Sequence, residues 1–134
     1  MLLYHFTDAW PEILAAGAID ATCKHWDSAP LTAHFSADAA PGALPWTLRE
    51  RRVRIAAEIP EADVHPWVQW ATAHGIPPEQ RISLLAHSDP ARAEQTNQWN
   101  GYPDLWYVTE RPVPVAEWTE AVDLRTRSLL WLAP

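Results

Sequence analysis

The histidines are the residues of this sequence best suited to chemistry, because an imidazole can bind a metal or move a proton near neutral pH. Of the six histidines, His5, His25 and His34 come early in the chain, and a folded sheet could bring them together. Their spacing matches no standard zinc motif, and no predicted helix carries two of them four residues apart. We therefore predict no metal site. The remaining histidines are most simply helix-capping or surface groups: His65, His74 and His87.

Nucleophilic catalysis has little support in the sequence. Cys23 is the only cysteine, so neither a disulfide nor a cysteine metal cluster can form within the chain. No Gly-x-Ser-x-Gly segment is present to build a nucleophile elbow. The cationic side chains are nine arginines and one lysine, Lys24. Arginine suits planar, two-point contact with phosphate or carboxylate.

Length and charge limit the class of protein. The chain has 134 residues, 48% of them hydrophobic, which is typical of a single domain spanning residues 1–134. A formal net charge of −7 argues against broad binding to nucleic acid, but not against recognition of one exposed base in a local pocket. No apolar run approaches a membrane span, and polar residues interrupt the start of the chain. We therefore expect a cytoplasmic protein without a membrane partner.

The amino-terminal stretch predicts a strand, a turn and one amphipathic helix. Along the strand, Leu3, His5 and Thr7 point to one side and Tyr4 and Phe6 to the other, because strand side chains alternate.

The helix that follows has recognisable start and stop signals. Asp8 is the predicted N-cap, Pro11 falls in the first turn, and Gly17 can end the helix in a left-handed conformation. Helical spacing also predicts one buried face on this helix, made of Trp10, Ile13, Leu14 and Gly17.

The rest of the chain predicts further strands and two or three short helices. Residues 51–59 alternate, with Val53, Ile55, Ala57 and Ile59 on a buried face and the charged side chains toward solvent. Residues 88–104 form a long polar segment without a clear period, and such loops are often functional. Because several strands follow one another without a helix between them, the pattern predicts an α+β fold. The other predicted strands are 31–36, 105–109, 117–125 (a strand, or a short helix and then a strand) and 128–132, and the predicted helices are 63–75 and one that starts at 77.

The opening unit resembles the ADP-ribosyltransferase superfamily. The resemblance rests on Tyr4-His5-Phe6-Thr7 and on the helix segment Ile13-Leu14-Ala15-Ala16-Gly17-Ala18-Ile19. It implies a compact α+β domain with a split antiparallel β-sheet core, about three short helices, and a cleft that binds NAD as substrate. His5 would contact and orient a ribose of NAD. The other cofactor-binding residues that the resemblance implies are Tyr4, Thr7, Ser36 and Trp46.

The resemblance also implies a catalytic carboxylate that stabilises the positive charge on the sugar carbon as nicotinamide leaves. Aligning Val113-Pro114 with the corresponding turn of the superfamily puts Trp106 where a glutamate is expected. Asp104 is the first substitute and Glu94 the second, and with His5 they are the predicted catalytic residues.

Three functions remain open at this point. The first is transfer of ADP-ribose to a nucleic-acid base or a protein side chain. The second is a catalytically inactive binding or inhibitor module that acts through protein contacts, as in phage–host conflict. The third is an RNA 2′-phosphotransferase, for which Arg51, Arg52 and Arg54 are candidate phosphate contacts. The enzyme hypothesis requires that the side chain of His5 faces a cavity.

Overall fold

The computed structural model describes residues 1–25, 28–45, 48–76 and 101–134. It has two α-helices, α1 (Trp10–Ala16) and α2 (Trp67–Ala73). Short 3-10 turns lie at Pro41–Ala43, Glu61–Asp63, Pro103–Leu105 and Val115–Glu117. The strands are β1 (Leu2–Thr7), β2 (Ala18–Ile19), β3 (Ala33–Ser36), β4 (Val53–Glu58), β5 (His65–Pro66), β6 (Trp106–Thr109), β7 (Val113–Pro114), β8 (Trp118–Asp123) and β9 (Leu129–Leu132).

One seven-stranded sheet holds the fold together, in the order β5-β6-β3-β1-β4-β8-β9, and β2 pairs with β7 in a separate two-stranded sheet. Strand β1 is central and pairs with β4 along its whole length, from Leu2 opposite Glu58 to Thr7 opposite Val53. The pairings between these strands are antiparallel. The predicted α+β class is therefore confirmed.

Helix α1 follows its predicted start and stop only in part. Gly17 ends it at φ 69°, and its N–H donates to the carbonyls of Ile13 and Leu14. The prediction of Asp8 as N-cap is wrong: Ala9 occupies that position, and the Asp8 carboxylate instead binds Arg51 and the backbone N–H of Arg52. The predicted buried face is confirmed only in part: Trp10 and Ile13 are half-buried against the hydrophobic core, whereas Leu14 is 45% exposed.

The two faces of the large sheet are covered differently. One face carries the main core, in which Leu3, Phe35 and Ile55 are buried. The other face packs against α2 through a second cluster made of Trp67, Trp70, Ala71, Ile76, Trp106 and Val108. The alternation predicted for β4 is confirmed, since Val53, Ile55, Ala57 and Ile59 all lie in the main core.

The second face of β4 is only partly the solvent-facing surface that we predicted, because Glu58 and the Arg52 side chain are exposed but the residues between them are covered. Ala56 is buried, and the Arg54 guanidinium lies 5.4 Å from the centre of the Tyr4 ring. Arg54 also donates to the Ala39 carbonyl and to Glu120. The loop after β3 therefore covers this part of the sheet. The helix predicted to start at 77, and residues 88–100 of the predicted polar loop, lie outside the described residues. None of the helices in the described ranges is long and apolar enough to cross a bilayer.

Candidate functional site

His5 is held in one orientation and one protonation state. Its Nδ1 lies 2.7 Å from the His34 carbonyl oxygen, and its ring lies 5.5 Å from that of Phe35, centre to centre. A carbonyl can only accept, so Nδ1 carries the proton and Nε2 is left as an acceptor. Burial lowers the pKa of His5, and the hydrogen bond acts in the opposite direction. His5 is therefore a neutral imidazole whose Nε2 can accept a hydrogen bond from a hydroxyl.

The other residues that the resemblance assigns to the cofactor fall on two faces of the sheet. Thr7 shares the face of His5, and its hydroxyl accepts a hydrogen bond from the N–H of Ala9. Ser36 is fully buried opposite Tyr4 in the strand register, so these two side chains lie on the other face. Trp46 is outside the described residues.

The predicted catalytic carboxylates do not come from the position where the superfamily has its glutamate. Asp104 is exposed in the 3-10 turn that precedes β6. Trp106, at the position where the superfamily has a glutamate, is buried and donates its indole N–H to the Ala43 carbonyl at 2.6 Å. Glu94 lies outside the described residues.

A concavity of about 490 Å³ opens beyond the end of β1. Four arginines line it against two carboxylates, so it is locally positive on a chain with a net charge of −7. We call this site the arginine concavity, and its lining residues are Asp8, Pro41, Arg49, Glu50, Arg51, Arg52, Leu124 and Arg125. His5 is not among them.

The arginines are held in place by specific partners. Arg51 lies 2.9 Å from the Asp8 carboxylate, and Arg52 lies 2.9 Å from the carboxylate of the buried Asp123. Arg51 keeps the pKa of Asp8 below its usual range, so this carboxylate stays charged at neutral pH. Arg49 donates to the Leu44 carbonyl at 3.0 Å. Three of the four guanidinium groups are therefore held in position, two of them by carboxylates that offset part of their charge.

The arginine concavity is joined to the segment that carries Asp104. Burial lowers the pKa of Arg49, and the nearby phenol of Tyr102 acts in the opposite direction. The N–H of Tyr102 also donates to the Ala43 carbonyl at 2.9 Å, within the turn that begins at the lining residue Pro41. Asp104 therefore lies two residues from a side chain that interacts with the concavity.

A second polar site lies on the α2 side of the sheet, and we call it the histidine cluster: Cys23, His25, Thr32 and His34. The Nε2 atoms of His25 and His34 are 2.7 Å apart, and Thr32 Oγ1 is 3.2 Å from each of them. The Cys23 Sγ and the histidine nitrogens all lie within 4.8 Å of one another. Burial is the main cause that lowers the pKa of both histidines, that of His34 to about 3.

This cluster was not predicted from the spacing of the histidines. His25 and His34 were expected to have His5 as their neighbour, whereas their partners in the structure are Cys23 and Thr32. The available signal was the pair of segments Cys23-Lys24-His25 and Thr32-Ala33-His34, in which strand alternation puts each pair of polar side chains on one side.

No protein-family model, no curated protein and no solved structure matches this chain. The chemistry of the arginine concavity and of the histidine cluster is therefore the basis on which a function can be assigned.

Proposed function

We propose that this protein binds NAD and is an ADP-ribosyltransferase-like enzyme, with the arginine concavity as the site of the NAD diphosphate. The proposal is based on one observation: four arginines line one concavity. This concavity lies in space at the end of the strand that carries the Tyr4-His5-Phe6-Thr7 motif. A diphosphate carries two negative charges, and guanidinium groups bind phosphate oxygens in pairs. The volume of about 490 Å³ also falls in the range of about 300–1,000 Å³ usual for ligand sites.

The state of His5 supports a role in binding a ribose. A neutral ring whose Nε2 carries no proton is of the kind that could accept the hydrogen of a ribose hydroxyl. His5 and Asp8 are three residues apart on an extended chain, a separation of about 10 Å. The concavity is therefore proposed for the diphosphate alone; His5 does not line it, and the contact between His5 and a ribose remains a separate prediction.

The proposed reaction breaks the bond between the ribose carbon and the nicotinamide nitrogen, and forms a new bond from that carbon to a nucleic-acid base or a protein side chain. Nicotinamide leaves with the electron pair of the broken bond, the acceptor loses a proton, and the positive charge that develops on the ribose carbon needs a carboxylate close to it. Asp104 is the first candidate because its neighbour Tyr102 interacts with Arg49, and Glu94 is the second. NAD is an intracellular metabolite, so we propose a cytoplasmic setting.

A binding module without catalysis is the second candidate, and the position of Trp106 favours it. The side chain that replaces the expected glutamate is buried and bonded to the Ala43 carbonyl, so it serves packing. A protein with this fold could keep the ligand site and lack the reaction. The RNA 2′-phosphotransferase alternative has Arg51 and Arg52 in the concavity, while Arg54 is bound to Glu120 and the Ala39 carbonyl.

Calorimetry with NAD, followed by chromatography of released nicotinamide, separates these functions. Binding with release supports the enzyme, and binding without release supports the module. We expect Arg125→Gln to weaken NAD binding about tenfold, because a charge-assisted hydrogen bond contributes roughly 1.5–3 kcal/mol. The matched control is Arg127→Gln, an exposed arginine two residues after Arg125 that does not line the concavity. Equal affinity of the two variants would refute the assignment of the phosphate site.

A further inference from the structure

We propose that the histidine cluster is a binding site for one divalent zinc ion, held by Cys23 Sγ and by the Nε2 atoms of His25 and His34. The inference is independent of the NAD proposal, because the ligands lie outside the arginine concavity. Thiolate and imidazole together are the donors that zinc takes from proteins.

The backbone places these donors on one side of the chain. Cys23 and Thr32 face each other in an antiparallel bridge, with N–H to carbonyl distances of 2.9 and 3.0 Å in the two directions. Because side chains alternate along an extended chain, His25 and His34, each two positions further on, can share the side of Cys23 and Thr32. The segments are antiparallel, so the two histidines lie in opposite directions from the bridge. Their rings reach back toward each other, with Nε2 atoms 2.7 Å apart and each 3.2 Å from the Thr32 hydroxyl.

The three donor atoms lie within 4.8 Å of one another, and shifts of the side chains would bring them to the distances of a metal site. In a tetrahedral zinc site, with bonds of about 2.0 Å to nitrogen and 2.3 Å to sulfur, two donors stand roughly 3.3–3.6 Å apart. The imidazole nitrogens are 2.7 Å apart and would need to separate by about 0.6 Å. Cys23 is exposed, so its thiol has room to move toward the two nitrogens.

Both imidazoles are suited to binding as neutral ligands. Only one proton can lie between two nitrogens at 2.7 Å, so one of them already presents a lone pair to the other. When a metal ion binds, the ring that carries the Nε2 proton takes the other tautomer, with its proton on Nδ1, so that each neutral ring offers a lone pair at Nε2. Three protein ligands leave a fourth position for water, as in catalytic zinc sites, and the Thr32 hydroxyl lies 3.2 Å from both nitrogens.

Aromatic side chains enclose the histidines. The ring of Trp67 lies 4.8 Å from that of His25 and 5.9 Å from that of His34, and the ring of Trp70 lies 5.5 Å from His25, between ring centres. Packing against these indoles limits the orientations of the two imidazole rings, as a metal site requires of its ligands. They also place two fluorophores beside the proposed metal, so a paramagnetic ion bound there would quench tryptophan emission.

The test is a titration of the reduced, metal-free full-length chain with Zn²⁺, followed by calorimetry and by metal analysis after gel filtration. We expect one equivalent of zinc, with binding at least about tenfold weaker in Cys23→Ser and in His25→Gln, since the loss even of an outer-shell partner costs that much. His65→Gln, which changes a histidine outside the cluster, should bind zinc as the unmodified chain does. Mg²⁺ should not bind, because it prefers oxygen ligands.

A second readout keeps the test informative if a variant folds poorly. Co²⁺ added to the unmodified chain should give a thiolate-to-cobalt charge-transfer band and quench tryptophan fluorescence with the same one-to-one midpoint. Zinc should reverse both signals. The inference is overturned if the chain binds no zinc, if Cys23→Ser binds zinc as tightly as the unmodified chain, or if cobalt binds without the thiolate band.

Discussion

The neutral, buried state of His34 predicts a specific loss of stability in acid. Burial is the first cause that lowers the pKa of His34 to about 3, and the charges of His25 and His5 are the others. In the unfolded chain a histidine has a pKa of about 6.5. Between about pH 6.5 and pH 3, His34 is therefore protonated in the unfolded state and neutral in the folded state. Stability is complete above pH 6.5 and falls as the pH is lowered through this window.

The size of the effect follows from linkage. One proton contributes a slope of about 1.36 kcal/mol per pH unit, so His34 alone should reduce the free energy of unfolding by about 2 kcal/mol between pH 6.5 and pH 5. Whole domains are stable by only about 5–15 kcal/mol, so this loss is measurable. Burial also lowers the pKa of His5, which adds to the loss in the same direction.

The assay is urea denaturation followed by tryptophan fluorescence, in EDTA, from pH 8 to pH 4.5. In His34→Gln the slope below pH 6.5 should decrease by about 1.36 kcal/mol per pH unit. Thr32→Val is the matched control, because it removes a hydroxyl from the same cluster but no titrating group. It should lower stability at every pH and keep the slope of the unmodified chain. An unchanged slope in His34→Gln would refute the reasoning.

Three further predictions concern the fold, and all are checked by chemical or thermal denaturation. Gly101→Ala should destabilise the protein by about 3 kcal/mol or more, because Gly101 has φ 79° and an added Cβ would overlap the Ala43 carbonyl. Gly17→Ala, at φ 69° with open space around it, should cost only about 1 kcal/mol, and equal losses would contradict the packing at Gly101. Ile55→Ala should cost about 2–5 kcal/mol because the side chain is fully buried in the main core, and a loss below about 1 kcal/mol would place Ile55 elsewhere. Arg111→Lys should cost about 1 kcal/mol, since lysine cannot bridge Asp63 and Glu117 as the guanidinium does, and an unchanged melting temperature would show that the bridge is not formed in solution.

Local pattern was sufficient to predict most of the described elements. Strand β4 has a clear period of two, and Gly17 marks the end of α1, so both were predicted from neighbouring residues. The face predicted to be buried on α1 is only half-buried, because helical spacing indicates which residues share a face but not how closely another element covers it. Leu14 illustrates this, since it is correctly spaced and remains 45% exposed.

Both sites depend on contacts between residues that are far apart in the sequence. A local sequence pattern does not predict such contacts. The arginine concavity brings Asp8 together with Arg51 and Arg125, and that grouping depends on the pairing of β1 with β4 and of β4 with β8. Asp8 is an example. It is a residue type that favours the N-cap position, but its carboxylate lies 2.9 Å from the Arg51 guanidinium and forms an ion pair with it. Charge pairing across the sheet overrode the local capping preference.

The histidine cluster was missed for a related reason. Its donors lie on two segments whose alignment is set by the bridge between Cys23 and Thr32. A shift of one residue in that register would turn His25 or His34 to the opposite side. Spacing along a single segment therefore contains no direct information about the 2.7 Å contact between the two rings.

The proposed role of the arginine concavity can be tested most directly by NMR, with NAD titrated into the ¹⁵N-labelled protein. We expect saturable shifts in the backbone amides of Asp8, residues 49–52 and Arg125, and in the side-chain Nε–H signals of these arginines, together with a shift of the His5 ring. The shifts should weaken with added salt, because the contact is to phosphate. Shifts confined to residues outside the concavity, or no shifts at millimolar NAD, would contradict the account.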